Sequence, residues 1–127
     1  PINSMKIKIK NSKDVANLMM DELRIEKREI VKLLILNSKN VLLKIVDVAL
    51  GGGNFAAIEP KQVLVEPIKM QAQKIILVHN HPSGDPTPSQ GDFQVTDRIY
   101  ESADIMGITL LDHIIIGDGK FKSVFEK

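Results

Sequence analysis

The sequence predicts an α/β domain in which a mixed β-sheet is sandwiched by helices, and three observations predict it. Short β-branched runs alternate with segments of helical spacing along the chain. The first two strands are close enough in sequence to form a hairpin, while the run ending at Val78 is reached only through a helix, so it need not be antiparallel to its neighbour. With 43% hydrophobic and 26% charged residues, the 127-residue chain has the content for one sizeable core, and it reads as a single domain over 1–127 without repeats or an interior boundary.

The elements follow in order. Ser12-Lys13-Asp14-Val15 opens a helix with a cap residue, and Val15, Leu18, Met19 and Leu23 recur at helical spacing to about Arg24. Residues 30–36 and 41–50 read as strands joined by the turn Asn37-Ser38-Lys39-Asn40. Gly51-Gly52-Gly53-Asn54 lacks the Gly-Lys-Ser/Thr ending of a phosphate loop and reads as a flexible connection. Pro60 suits a first helical turn and starts a helix to about Gln73, with Val63, Val65 and Ile68 in its apolar content. Residues 74–78 form a short buried strand, residues 89–106 a long helix, and 108–116 and 121–124 the last strands. Met19, Met20 and Met106 are assigned to the core.

Composition excludes several classes. Without a cysteine there is no disulfide framework, which fits a reducing compartment and makes the cytoplasm the expected location. No apolar stretch approaches a membrane span and no signal peptide is visible, so no membrane partner is expected. Charge is uneven: residues 1–50 hold ten Lys/Arg against six Asp/Glu, and residues 51–127 hold seven against ten. A basic half raises nucleic acid as a partner. However, Lys6, Lys8 and Lys10 alternate with Ile7 and Ile9 as on the solvent face of a protected edge strand, and one tyrosine with four phenylalanines offers little platform for stacking bases.

The run His79-Asn80-His81-Pro82-Ser83-Gly84-Asp85-Pro86-Thr87-Pro88-Ser89-Gln90-Gly91-Asp92 carries chemistry. Side chains alternate along a strand, so His79 and His81 project to one side. After a turn with three prolines, Ser89 and Asp92 occupy the cap and third positions of the next helix, which returns a carboxylate to the histidines. Two imidazoles and a carboxylate suit zinc, and three protein ligands leave a fourth tetrahedral position for water. Ser89 is placed to donate to a developing oxyanion. Taken singly, each piece has a plainer reading: Ser-x-x-Asp is a common helix start, and a histidine at a strand end is often structural. His113 has two readings as well, a satisfied strand histidine or a fourth ligand that would close the site. Nucleobase deaminase chemistry is excluded, since it needs His-x-Glu and a later Cys-x-x-Cys.

The spacing His-x-His-x7-Ser-x2-Asp, spelled by His79, His81, Ser89 and Asp92, resembles the JAMM motif of the JAB/MPN metallopeptidase superfamily. The run from His79 to Ser89, with the later Leu111-Asp112-His113-Ile114-Ile115-Ile116-Gly117-Asp118-Gly119, resembles its bacterial RadC-like branch in particular, and the likeness extends from about Ser12 to Val124. The resemblance implies a cytidine-deaminase-like fold with the metal at a strand end beside a helix N-terminus. It also implies a glutamate acid/base upstream. Glu29, just before the strand at 30–36, is the best match, although Val31 stands where the family has an aromatic residue, and Glu26 and Glu59 are the next candidates. Without the family, Glu29 would read as one more solvated residue of the charged stretch Glu26-Lys27-Arg28-Glu29.

These implications make the expected function zinc-dependent hydrolysis of an amide or isopeptide bond in a peptide or protein substrate. The alternative is a non-hydrolytic module that uses the metal as a structural pin and binds DNA or repair proteins. Relatives of this branch often carry an upstream helix-hairpin-helix region, which these residues do not resemble, so the chain is expected to be a fragment. The oligomeric state is left open.

Overall fold

The computed structural model describes residues 6–126; the reading of one domain over 1–127 includes residues 1–5 and 127, which lie outside them. The chain folds as α1 (Ser12–Leu23), β1 (Val31–Leu36), β2 (Leu42–Val48), α2 (Pro60–Lys69), β3 (Lys74–Asn80), α3 (Gln90–Ile105), β4 (Thr109–Ile116) and β5 (Phe121–Ser123). The strands form one sheet in the order β2-β1-β3-β4-β5. β1 is antiparallel to both β2 and β3, and β4 is antiparallel to β5. The pair β3 and β4 is parallel because α3 carries the chain back across the sheet between them. The sheet is therefore mixed, as expected.

Strand alternation divides the core between the two faces. Leu33, Ile35, Ile75 and Leu77 meet Val63, Leu64, Val95 and Ile99 from α2 and α3 on one face. Leu34, Leu36, Ile76, Val78, Ile114 and Ile116 meet Val15, Ala16, Met19 and Leu23 of α1 on the other. Strands buried on both faces read as continuous apolar runs, which is why Leu33-Leu34-Ile35-Leu36 and Ile75-Ile76-Leu77-Val78 show no polar alternation.

Several boundaries differ from the sequence reading for local reasons. The α1 cap is Asn11, whose side chain accepts the Asp14 N–H at 2.9 Å, so Ser12 is the first helical residue rather than the cap. Helix α2 stops at Lys69 because Gln71 takes a left-handed conformation, φ 54°, and its buried face is Val63, Leu64 and Pro67, while Val65 and Ile68 face outward. Met106 terminates α3 and is 53% exposed, so it leaves the core to which Met19 belongs. The expected edge strand at Lys6, Lys8 and Lys10 reduces to a single bridge from Lys8 to Val41. Beyond it the Lys10 N–H binds the Asp14 carboxylate at 2.7 Å, which draws the chain off the sheet and into α1.

Candidate metal centre

Strand β3 ends where the chemistry begins. His79 lies in the sheet between Val31 of β1 and Ile115 of β4, and His81 follows one step beyond the strand, its N–H bound to the Ile116 carbonyl at 2.9 Å. Alternation turns both rings to the α3 side, where that helix begins. Ser89 caps α3: its hydroxyl accepts the Asp92 N–H at 3.1 Å, and its own N–H binds Asp92 Oδ2 at 2.8 Å. The capping box fixes the Asp92 carboxylate against both rings. Asp92 Oδ1 lies 3.3 Å from His79 Nε2, and Oδ2 lies 3.0 Å from His81 Nε2. One donor atom from each of His79, His81 and Asp92 lies within 4.8 Å of the other two.

The intervening loop is held by backbone. The Gly84 N–H binds the His81 carbonyl at 2.9 Å, and the Gly84 carbonyl accepts the Asp118 N–H at 2.9 Å. Gly117 is required at this crossing: a Cβ there would run into the Gly84 carbonyl and the Pro86 ring. His81 is oriented by the same loop, since its Nδ1–H donates to the Asp85 carbonyl at 2.9 Å and leaves Nε2 for Asp92 or a metal.

Charge follows geometry. Burial raises the Asp92 carboxyl, but the two imidazoles beside it and the hydrogen bonds from His81 and the Ser89 N–H outweigh it and hold the group well below the usual carboxylate range. The Asp92 hydrogen bond raises His81 above its ordinary value against partial burial. Burial lowers His79 despite Asp92, and burial pushes His113 well below the histidine range, so both rings are neutral at pH 7. Among the described residues, His79 Nε2 is the buried side-chain polar atom left without a hydrogen-bond partner. A buried nitrogen without a partner, beside a second imidazole and a carboxylate, fits a zinc ion by donor type.

The sequence-predicted residues thus divide as follows. His79, His81 and Asp92 come together, with Ser89 at their edge. Glu29 accepts the Phe55 N–H through Oε2 at 3.0 Å, and its charge favours the protonated form of both His79 and His81. It lines a groove of about 440 Å³ with Val31, Leu50, Gly53 and Pro82. Glu59 is occupied as the cap of α2, in a reciprocal pair with Gln62. His113 is fully buried behind His79.

Two further residues were not legible as site residues. Phe55 arrives from the Gly51-Gly52-Gly53-Asn54 connection, where Gly52 and Gly53 take positive φ and Asn54 caps the short turn Phe55–Ala57. Its ring stacks on His79 with centroids 4.1 Å apart and planes within 5°, while its N–H holds Glu29. Asn80, on the opposite side of β3, accepts the Ile30 N–H at 2.6 Å and donates to the Arg28 carbonyl at 2.9 Å, so it anchors the segment that carries Glu29. An amide at the end of an otherwise apolar strand was the available signal.

A mixed sheet with helices on both faces and a His-x-His strand end facing a Ser-x-x-Asp helix start define a JAB-type domain. The RadC-like JAB domain family matches residues 9–127, and the chain belongs to it. It is 49% identical over 121 residues to a UPF0758 protein of Clostridium acetobutylicum, covering 95% of this chain and 53% of that one. A UPF0758 protein of Moorella thermoacetica is 50% identical over 119 residues, 94% of this chain and 52% of the relative. One from Clostridium tetani is 47% identical with the same coverage. The chain spans about half the length of the curated relatives it matches. Among the described residues no helix is long and apolar enough to cross a membrane.

Proposed function

We propose that this domain is a zinc-dependent hydrolase that cleaves an amide or isopeptide bond in a peptide or protein, acting in the reducing cytoplasm that a cysteine-free chain suits. The observation that carries the reading is the convergence of His79, His81 and Asp92 on one point, with His79 Nε2 buried and lacking a partner. His79, His81 and Asp92 would hold the ion. Zinc, when bound, supplies Lewis acidity and lowers the pKa of a bound water to about 7.

The remaining work falls to the protein. Glu29 Oε2 is held by the Phe55 N–H, which directs the carboxylate and leaves Oε1 to take a proton. Hydrolysis adds the water oxygen to the carbonyl carbon and delivers a proton to the departing nitrogen, and Glu29 is the group that carries it. The Ser89 hydroxyl accepts from Asp92 through its lone pair, so its O–H is free to donate to the oxyanion. The zinc-reconstituted chain, assayed with quenched-fluorescent peptide and isopeptide substrates, should hydrolyse at least one of them. Glu29→Gln should keep the metal and lose at least about 10²-fold in rate. Full activity in that variant would move the base to Glu26, then Glu59.

A second reading, a non-hydrolytic module for DNA or repair proteins, is favoured by the exposure of Lys6, Lys8, Lys10 and Lys13, all away from the metal residues. It requires duplex binding that falls steeply with salt and survives His81→Ala.

A further inference from the structure

Behind His79 runs a chain of short polar contacts that reaches the backbone of α3. His79 Nδ1 lies 2.7 Å from His113 Nε2, and His113 Nδ1 contacts Thr96 Oγ1. Thr96 Oγ1 lies 2.7 Å from the carbonyl of Asp92. All of these side chains are buried, with His79 and His113 fully so.

The direction of every hydrogen follows from the last link. Two oxygens at 2.7 Å need a hydrogen between them, a carbonyl has none to give, and so the Thr96 O–H donates to Asp92. That uses the only hydrogen of the hydroxyl. Toward His113, Thr96 is left as acceptor, and His113 must carry its hydrogen on Nδ1. The neutral ring then presents a lone pair on Nε2, and its contact with His79 needs a hydrogen from His79 Nδ1. The last atom, His79 Nε2, is consequently a bare lone pair, and it is the one that faces Asp92 and His81 without a partner.

We infer that Thr96 and His113 are positioning residues, a directional relay that locks His79 in its Nδ1–H tautomer and so presents Nε2 as a ready metal ligand. The inference rests on the metal-site reading for its purpose, though not for its geometry. The relay begins at the carbonyl of Asp92, so the ligand residue of α3 also sets the protonation pattern of the ligand on β3. Phe55 stacks on His79 and lies tilted against His113 at 5.1 Å, which holds both rings in line. A metal ligand usually donates its second ring N–H to a carboxylate, carbonyl or water. Here a second imidazole fills that place, and an imidazole can be turned either way by what lies behind it.

The test needs two readouts on the whole chain. Long-range ¹H–¹⁵N spectra of the metal-free, ¹⁵N-histidine-labelled protein should show both His79 and His113 protonated on Nδ1. Thr96→Val keeps the shape and removes the acceptor; His113 should move to its Nε2–H form and donate to His79, which should shift to Nε2–H. Zinc affinity should then fall about tenfold or more, and Thr96→Ser should restore both the spectrum and the affinity. A wild-type His79 protonated on Nε2 overturns the relay whatever the zinc result. Unchanged zinc affinity in a folded Thr96→Val protein overturns its positioning role. Correct tautomers in a wild-type chain that binds no zinc would instead overturn the metal-site reading and leave the relay a structural network.

Discussion

The side-chain oxygen of Asn80 accepts the N–H of Ile30 at 2.6 Å, across fifty residues of sequence. The amide nitrogen donates in the same place to the Arg28 carbonyl, so one buried residue grips both sides of Glu29. The residue between the two histidines therefore serves the proposed base rather than the metal. Asn80→Asp keeps the acceptor but aims a carboxylate oxygen at the Arg28 carbonyl, with nothing to donate. The variant should lose about 1–3 kcal/mol in urea denaturation. Its turnover should fall by a larger factor than its zinc affinity. Stability within about 0.5 kcal/mol of wild type would show that the amide is not the anchor.

Gly117 and Gly91 should respond to the same substitution with opposite signs. An alanine methyl at Gly117 has the Gly84 carbonyl and the Pro86 ring in its way, and neither is a flexible side-chain end. Gly117→Ala should cost about 1–3 kcal/mol and weaken zinc binding by shifting the loop after His81. Gly91 lies in the first turn of α3 with only ordinary contact, 3.7 Å to Ser89 Oγ. Gly91→Ala should stabilise by about 0.4–1 kcal/mol. Equal effects in thermal or urea unfolding would count against the crossing described for Gly117.

Zinc affinity should depend on pH through His81. In the metal-free protein Asp92 favours the proton on His81 Nε2, which raises that group above its ordinary value. Zinc must displace this proton whenever the pH lies below the raised value. Apparent affinity should fall by about tenfold per pH unit on the acid side and level off above it, with the bend above about 6.5, the ordinary histidine value. Calorimetric titrations from pH 5 to 8 read this directly. A bend below 6.5 would mean that Asp92 does not hold the proton.

The grouping of His79, His81, Ser89 and Asp92 was legible because each part obeys a local rule. His79 and His81 share a face through strand alternation, and Ser89 and Asp92 share one through the geometry of a helix cap, so neither pair needs knowledge of the fold. The apolar stretches 33–36, 75–78 and 114–116 within β1, β3 and β4 were legible for a similar reason: burial on both faces leaves them without polar alternation. What supports these candidate ligands was not legible. Phe55 meets His79 from a glycine-rich connection, and Thr96 meets His113 from another element, contacts that exist only once the sheet and α3 are assembled. Thr96 does stand four residues after Asp92, one helical turn along the same face, which is the one local trace of the relay. The alternation of Lys6, Lys8 and Lys10 misled for the converse reason. Its period suits a strand, but Asp14 offers the Lys10 N–H a nearer partner than the sheet edge does.

The central claim is that His79, His81 and Asp92 form one zinc site. Metal analysis of the purified chain after reconstitution and removal of excess zinc tests it most directly. Wild type should retain about one zinc per chain. His81→Ala, shown to be folded by circular dichroism, should retain none. A reconstituted wild type without zinc affinity, or a folded His81→Ala protein that keeps its zinc, would contradict the account.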